Sequence, residues 1–212
     1  MQRNAVAVPL QPRTTFLAAA AGTPGDHALG IGIRAAAVLF VAVLTAAASQ
    51  VSVPMPFTPV PFTFQPLVVL LGAALLGPRL GACSQLLYLA AGIAGLPVFA
   101  ASLTLPQGGA RLLGPTGGYL MAYPVAAFLV GWLASRGFDR RYPTAVLAML
   151  AGLAVVFTGG VLWLAQFAGG FGAALQAGFY PFVLPDILKI CAAATVLPGL
   201  WRLTGLGSRT AA

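Results

Sequence analysis

Residues 144–167 read TAVLAMLAGLAVVFTGGVLWLAQF and carry no charged side chain. About 20 consecutive apolar residues cross a bilayer core as a helix, so this stretch is long enough to span one. It lies within an uncharged run over 142–185, and three more such runs cover 35–78, 80–110 and 112–135. Each exceeds one span, and two of them have room for two. Across the chain 59% of residues are apolar and 7% are charged, where a soluble domain carries roughly a quarter charged residues. The composition is that of a membrane protein.

Proline and glycine punctuation divides the runs into six spans, at about 33–53, 65–77, 80–94, 117–134, 144–167 and 182–203. The expected architecture is an all-α integral membrane protein with six transmembrane helices in one bundle over 33–205. The second and third spans are short and call for tilt or for shielding by neighbouring helices. Residues 1–32 mix Arg3, Arg13, Asp26 and His27 with glycine, proline and threonine, and the apolar stretch Phe16–Ala21 is thin for a secretory segment. They are expected to form a disordered tail, with a second short tail at 206–212. Six spans put both termini on one side. If that side is cytoplasmic, nine of the ten arginines lie inside, in keeping with the bias of basic residues toward cytoplasmic loops. The exception is Arg111.

Several chemistries are excluded. The single lysine, Lys189, follows Asp186-Ile-Leu, so no P-loop for ATP can be assembled. One histidine and three acids, of which only Asp186 lies at membrane depth, leave no His-rich or multi-carboxylate metal site and no histidine-based triad within the bundle; no metal and no cofactor are expected. Cys83 and Cys191 fall inside spans without the spacing of a disulfide framework and are expected to be buried packing residues. The net charge of +8 is scattered over the ends of apolar segments, a topology signal rather than a nucleic-acid surface.

Asp186 and Lys189 are three apart near the start of the sixth span, hence on one helical face. Ionisable groups inside a membrane commonly mark a ligand or ion path; the alternative is a self-neutralising pair, with Pro185 at the first helical position and Asp186 at the positive end of the helix dipole. Arg111 precedes Gly114-Pro-Thr-Gly-Gly-Tyr119, where Thr116 or a neighbour is placed to cap the fourth span; an interfacial arginine reaching water is the plainer reading. Pro54-Met-Pro-Phe-Thr-Pro-Val-Pro-Phe-Thr-Phe-Gln-Pro66 holds too many prolines for a helix. It reads either as a stiff lid or as an outer-lip crossing. Ala42 with Ala46, and Thr45 with Ser49, form small-residue pairs four apart, suited to close helix approach. Tyr88, Tyr119, Tyr123, Trp132 and Trp163 read as interfacial or core aromatics, of which one or two are available to stack on a ligand.

Five motifs, in order, resemble the BioY family: Val53-Pro-Met-Pro-Phe-Thr-Pro-Val-Pro-Phe-Thr-Phe-Gln65, Leu76-Gly-Pro-Arg79, Tyr88-Leu-Ala-Ala-Gly-Ile-Ala-Gly-Leu-Pro-Val-Phe99, Gly114-Pro-Thr-Gly-Gly-Tyr119 and Asp186-Ile-Leu-Lys189. Members of that family are the biotin-specific S components of energy-coupling factor transporters. The resemblance covers about 35–203. It implies an S-component-like bundle in the cell membrane and an outward-facing biotin site. As partners it implies a transmembrane coupling subunit and two ATPase subunits. It also implies that Asp186 and Lys189 are the polar pair at the ligand and that Ala42 and Ala46 resemble the docking stripe; Arg111, Thr116, Tyr88 and Gln65 are further candidate ligand-site residues, read from their own positions rather than from the resemblance. Biotin offers a carboxylate, a ureido group and an apolar ring, so a cation, an anionic acceptor and aromatic walls suit it. The competing readings are a binder of another small vitamin and an ion-coupled secondary transporter with Asp186 as its coupling carboxylate.

Overall fold

A computed structural model describes residues 15–21, 27–101 and 107–204. Ten α-helices lie within them: α1 (Phe16–Ala21), α2 (His27–Gln50), α3 (Gln65–Leu76), α4 (Pro78–Ile93), α5 (Ala110–Leu113), α6 (Gly117–Ser135), α7 (Tyr142–Leu164), α8 (Phe171–Gly178), α9 (Tyr180–Ala194) and α10 (Val196–Thr204). Two residue pairs of β-structure, β1 (Ser52–Val53) and β2 (Phe62–Thr63), pair antiparallel within the proline-rich segment. The prolines exclude a helix there, and the short ladder ties the two ends of the loop together.

Four segments are long and apolar enough to cross a membrane: Gly30–Gln50, Gly117–Ser135, Tyr142–Leu164 and Tyr180–Thr204. The remaining two expected spans are present as helices but are short. At 1.5 Å per residue the 12-residue α3 and 16-residue α4 reach about 18 and 24 Å, under the ~30 Å of a hydrocarbon core. They are joined at Gly77, whose φ of 86° permits the sharp reversal. Gly131 of α6 lies against this turn, with no room for a Cβ. Neighbouring helices therefore enclose α3, whose Val69, Leu70 and Ala73 are essentially without solvent contact, while α4 keeps one face on the bundle and leaves Leu86 and Leu87 exposed.

The most extensive helix contact is α6 on α7, followed by α6 on α4 and on α3. The core runs through Leu70, Val130, Met149, Val156 and Leu164. By contrast, Leu39, Phe40, Leu147, Leu162 and Leu188 are exposed on the outside of the bundle, as expected where lipid rather than water is the neighbour. Cys83 is exposed on this outer surface and Cys191 is half-buried; the expectation of two buried cysteines is corrected, since α4 turns Cys83 outward.

The expected disordered tail over 1–32 meets helix at both of its described parts. α1 sets Phe16 edge-on against Trp201 at 5.4 Å, and α2 already begins at His27. The rest of that tail, and residues 206–212, lie outside the described residues. At the same end of the bundle Asp139 is buried, its Oδ2 accepting from the Trp201 indole N–H at 2.7 Å. Burial pushes its carboxyl up to about 6, against the opposing Trp201 bond, its own backbone and Arg140. The sequence gives little sign of this buried acid, because Phe138–Arg140 reads as a polar turn.

Candidate ligand-binding site

At the opposite end of the bundle, where α3, α6 and α9 begin and α4 and α7 finish, the helices leave a cavity of about 70 Å³. The loop between β1 and β2 crosses it with Val60, Pro61 and Thr63. The strap after α4 contributes Phe99 and Ala100. Tyr119 and Tyr123 of α6, Phe157 of α7 and Phe182 of α9 complete largely aromatic walls. Among these apolar surfaces stand Gln65, Arg111, Thr116 and Asp186.

Arg111 is 5% exposed. Its Nη2 donates to the carbonyl of Ala100, while Nε has no hydrogen-bond partner among the described residues. Burial draws its basicity below the usual arginine range, a shift that Tyr88 opposes; the guanidinium still stays charged at any physiological pH. It is therefore a buried cation lining the cavity with its Nε–H unpaired among the described residues, and leaving such a donor unpaired is costly. A bound anion would satisfy it.

Asp186 and Lys189 are indeed paired, with Nζ 2.7 Å from Oδ1. Their placement departs from the self-neutralising alternative in one respect and from the expectation of a pair that faces the ligand together in another. α9 starts at Tyr180, so Pro185 lies inside the helix and Asp186 is in its second turn, away from the orphan N–H groups. Only Asp186 lines the cavity. Lys189 turns to the proline-rich loop, donating to the carbonyl of Thr63 at 2.8 Å and lying 3.5 Å from the centre of the Phe62 ring. Asp186 Oδ2 makes no hydrogen bond among the described residues and is open to a donor in the cavity.

Thr116 occupies the N-cap position of α6 but makes no side-chain capping bond; it lines the cavity instead. Gln65 donates to the Tyr88 hydroxyl at 2.6 Å, so Tyr88 stands behind Gln65 and supports it rather than lining the cavity. The docking stripe expected at Ala42 and Ala46 faces inward, Ala42 being 5% exposed and Ala46 packed on the core. The corresponding surface of α2 is already occupied by α3 and α4, and the outward face presents Ile31, Leu39, Phe40, Val43 and Leu44. Tyr119 and Tyr123, two of the aromatics expected at the interface or in the core with one or two available to a ligand, line the cavity wall. Their four-residue spacing put both on one face of α6, a signal the sequence carried. Phe99, Phe157 and Phe182 came from three separate segments with no such signal. Among the described residues no cluster of histidine, cysteine, aspartate or glutamate is suited to hold a metal.

The family model described as "BioY family" matches residues 10–205. The chain is 43% identical over 161 residues to a probable biotin transporter BioY of Pyrococcus horikoshii, covering 74% of this chain and 89% of that one. It is 35% identical over 151 residues to a biotin transporter BioY of Thermotoga maritima, covering 71% and 83% respectively. Among solved structures it is similar to the S-component for biotin from an ECF-type ABC transporter, with a TM-score of 0.74, 23% identity and coverage of 84% of this chain and 95% of that one. At that identity the structural likeness speaks for the fold.

Proposed function

The chain belongs to the BioY family, and from that premise we propose that it is the biotin-binding membrane subunit of an energy-coupling factor transporter, capturing biotin from the outer side. The observation that carries this reading is the aromatic cavity holding a buried cation with a free donor, Arg111, and a buried carboxylate with a free oxygen, Asp186. Arg111 takes the biotin carboxylate and Asp186 accepts from a ureido N–H. Tyr119, Tyr123, Phe157 and Phe182 enclose the apolar ring. Lys189 acts one step back: it neutralises Asp186 and holds β2 across the cavity mouth.

All six expected spans cross the membrane in this reading, α3 and α4 as short helices shielded by α2 and α6. Arg34, Arg79, Arg136, Arg140, Arg141 and Arg202 all belong to the end away from the cavity, and the bias of basic residues toward the cytoplasm supports the reading in which that end and both termini are cytoplasmic. The chain draws its energy from a transmembrane coupling subunit and two ATPase subunits, since it can build no P-loop of its own. The test is equilibrium binding of biotin to the purified chain in detergent without nucleotide. Saturable one-site binding is expected, and absence of binding by a folded preparation rejects the assignment.

A further inference from the structure

Two of the cavity's rings rest on glycines that do not themselves line it. A Cβ built on Gly92 of α4 would run into the edge of the Phe99 ring, and one on Gly160 of α7 would run into the Tyr119 ring. Both glycines are buried and neither has a positive φ, so backbone conformation does not require glycine at either place. Alanine would be the better helix former there. What excludes a methyl group is the ring.

The rings have little freedom to retreat. Phe99 is 1% exposed and meets Tyr88 edge-on at 5.5 Å. Its stretch of backbone is held from both sides: Ser49 bonds the carbonyl of Val98 at 2.6 Å, Gln107 that of Phe99 at 3.1 Å, and Arg111 that of Ala100. Tyr119 is tethered through its hydroxyl to the carbonyl of Gly178 at 2.8 Å. Each ring also lines the cavity, the unfilled space beside it. Because packed interiors cannot absorb an added methyl group without moving something, a Cβ at either glycine would drive an aromatic wall inward.

We infer that Gly92 and Gly160 are specificity-determining positions, a layer behind the wall that sets the width of the cavity and hence the size of ligand it admits. The inference rests on the biotin-binding reading, and a ligand-free readout separates the two. In equilibrium binding with purified full-length chain, Gly92→Ala and Gly160→Ala should each lower biotin affinity at least tenfold. Gly199→Ala, a helical glycine with nothing within 4 Å of its Cβ, should leave affinity unchanged. Shortening the displaced ring gives the rescue: Gly92→Ala/Phe99→Leu should bind as Phe99→Leu alone does, within about twofold. Wild-type affinity in both folded alanine variants, or full additivity in the double variant, overturns the proposal. Should Gly92→Ala fail to fold, Gly160→Ala and the Phe99→Leu pair decide it. If the wild-type chain binds no biotin, the functional reading falls first; a ligand-free crystal structure of Gly160→Ala then judges the layer, supporting it if Tyr119 has moved into the cavity and overturning it if the ring has not moved.

Discussion

The Lys189 ammonium donates to the carbonyl of Thr63 at 2.8 Å, joining α9 to the strand at the cavity mouth. The same ammonium neutralises Asp186 and lies over the Phe62 ring, so one cation holds both a cavity carboxylate and the loop beside it. Lys189→Met should therefore do two things. Biotin affinity should fall at least tenfold as Asp186 loses its partner, and amide exchange across β1 and β2 should quicken as the loop is released. The pair variant Asp186→Asn/Lys189→Met avoids a lone buried charge, which typically costs 3–5 kcal/mol, and should fold while keeping the fast exchange. Unchanged exchange in both variants would remove the latch role.

Arg111 is the cation assigned to the ligand carboxylate. A charge-assisted hydrogen bond contributes roughly 1.5–3 kcal/mol, so Arg111→Gln should weaken biotin by about tenfold or more. The primary amide of biotin has no carboxylate to lose, and wild type and Arg111→Gln should bind it equally. If both ligands weaken in parallel, Arg111 serves only to hold the Ala100 strap.

Asp139 makes stability depend on pH in a direction opposite to that of a salt-bridged carboxylate. Burial raises its carboxyl from 3.8 to about 6 in the folded chain, so the native state binds the proton more tightly than the unfolded one. The stabilising protonated form is fully present below about pH 4; its contribution is lost as pH rises and is gone above about pH 6. At about 1.4 kcal/mol per pH unit the loss is on the order of 3 kcal/mol. Thermal unfolding in detergent should give a Tm that falls between pH 4 and 6.5, and Asp139→Asn, which keeps an acceptor for Trp201, should flatten this part of the profile. Identical profiles for the two proteins would count against it.

Topology can be read with single cysteines in a Cys83→Ala/Cys191→Ala background. A cysteine at Phe57 or Gly108 should react with an impermeant maleimide added outside intact cells, and one at Gly137 only after permeabilisation. The reverse pattern would invert the orientation and place the cavity on the cytoplasmic side.

Much of the bundle was legible because membrane helices are set by local composition: a long uncharged run has few other places to go, and the prolines and Gly77 mark where it turns. The short lengths of α3 and α4 were visible too, as was the shared face of Asp186 and Lys189. The start of α9, expected at about 182 and found at Tyr180, was legible as well; that the helix runs through Pro185 was not, because a proline equally suits a first helical position. Nor was the role of α1, whose contact with Trp201 joins residues far apart in the chain.

By itself the sequence determined the membrane character, the order of the helical segments, the proline-rich crossing and the identity of the few charged groups available to a ligand. Only the tertiary structure decided that Arg111 faces the cavity while Lys189 turns to Thr63, that Ala42 and Ala46 look inward, and that Phe99 and Tyr119 rest on Gly92 and Gly160. The physical reason is the range of the forces involved. Partition into a bilayer acts segment by segment and is recorded in local composition, whereas the direction of a side chain is set by packing against residues 7 to 126 positions away.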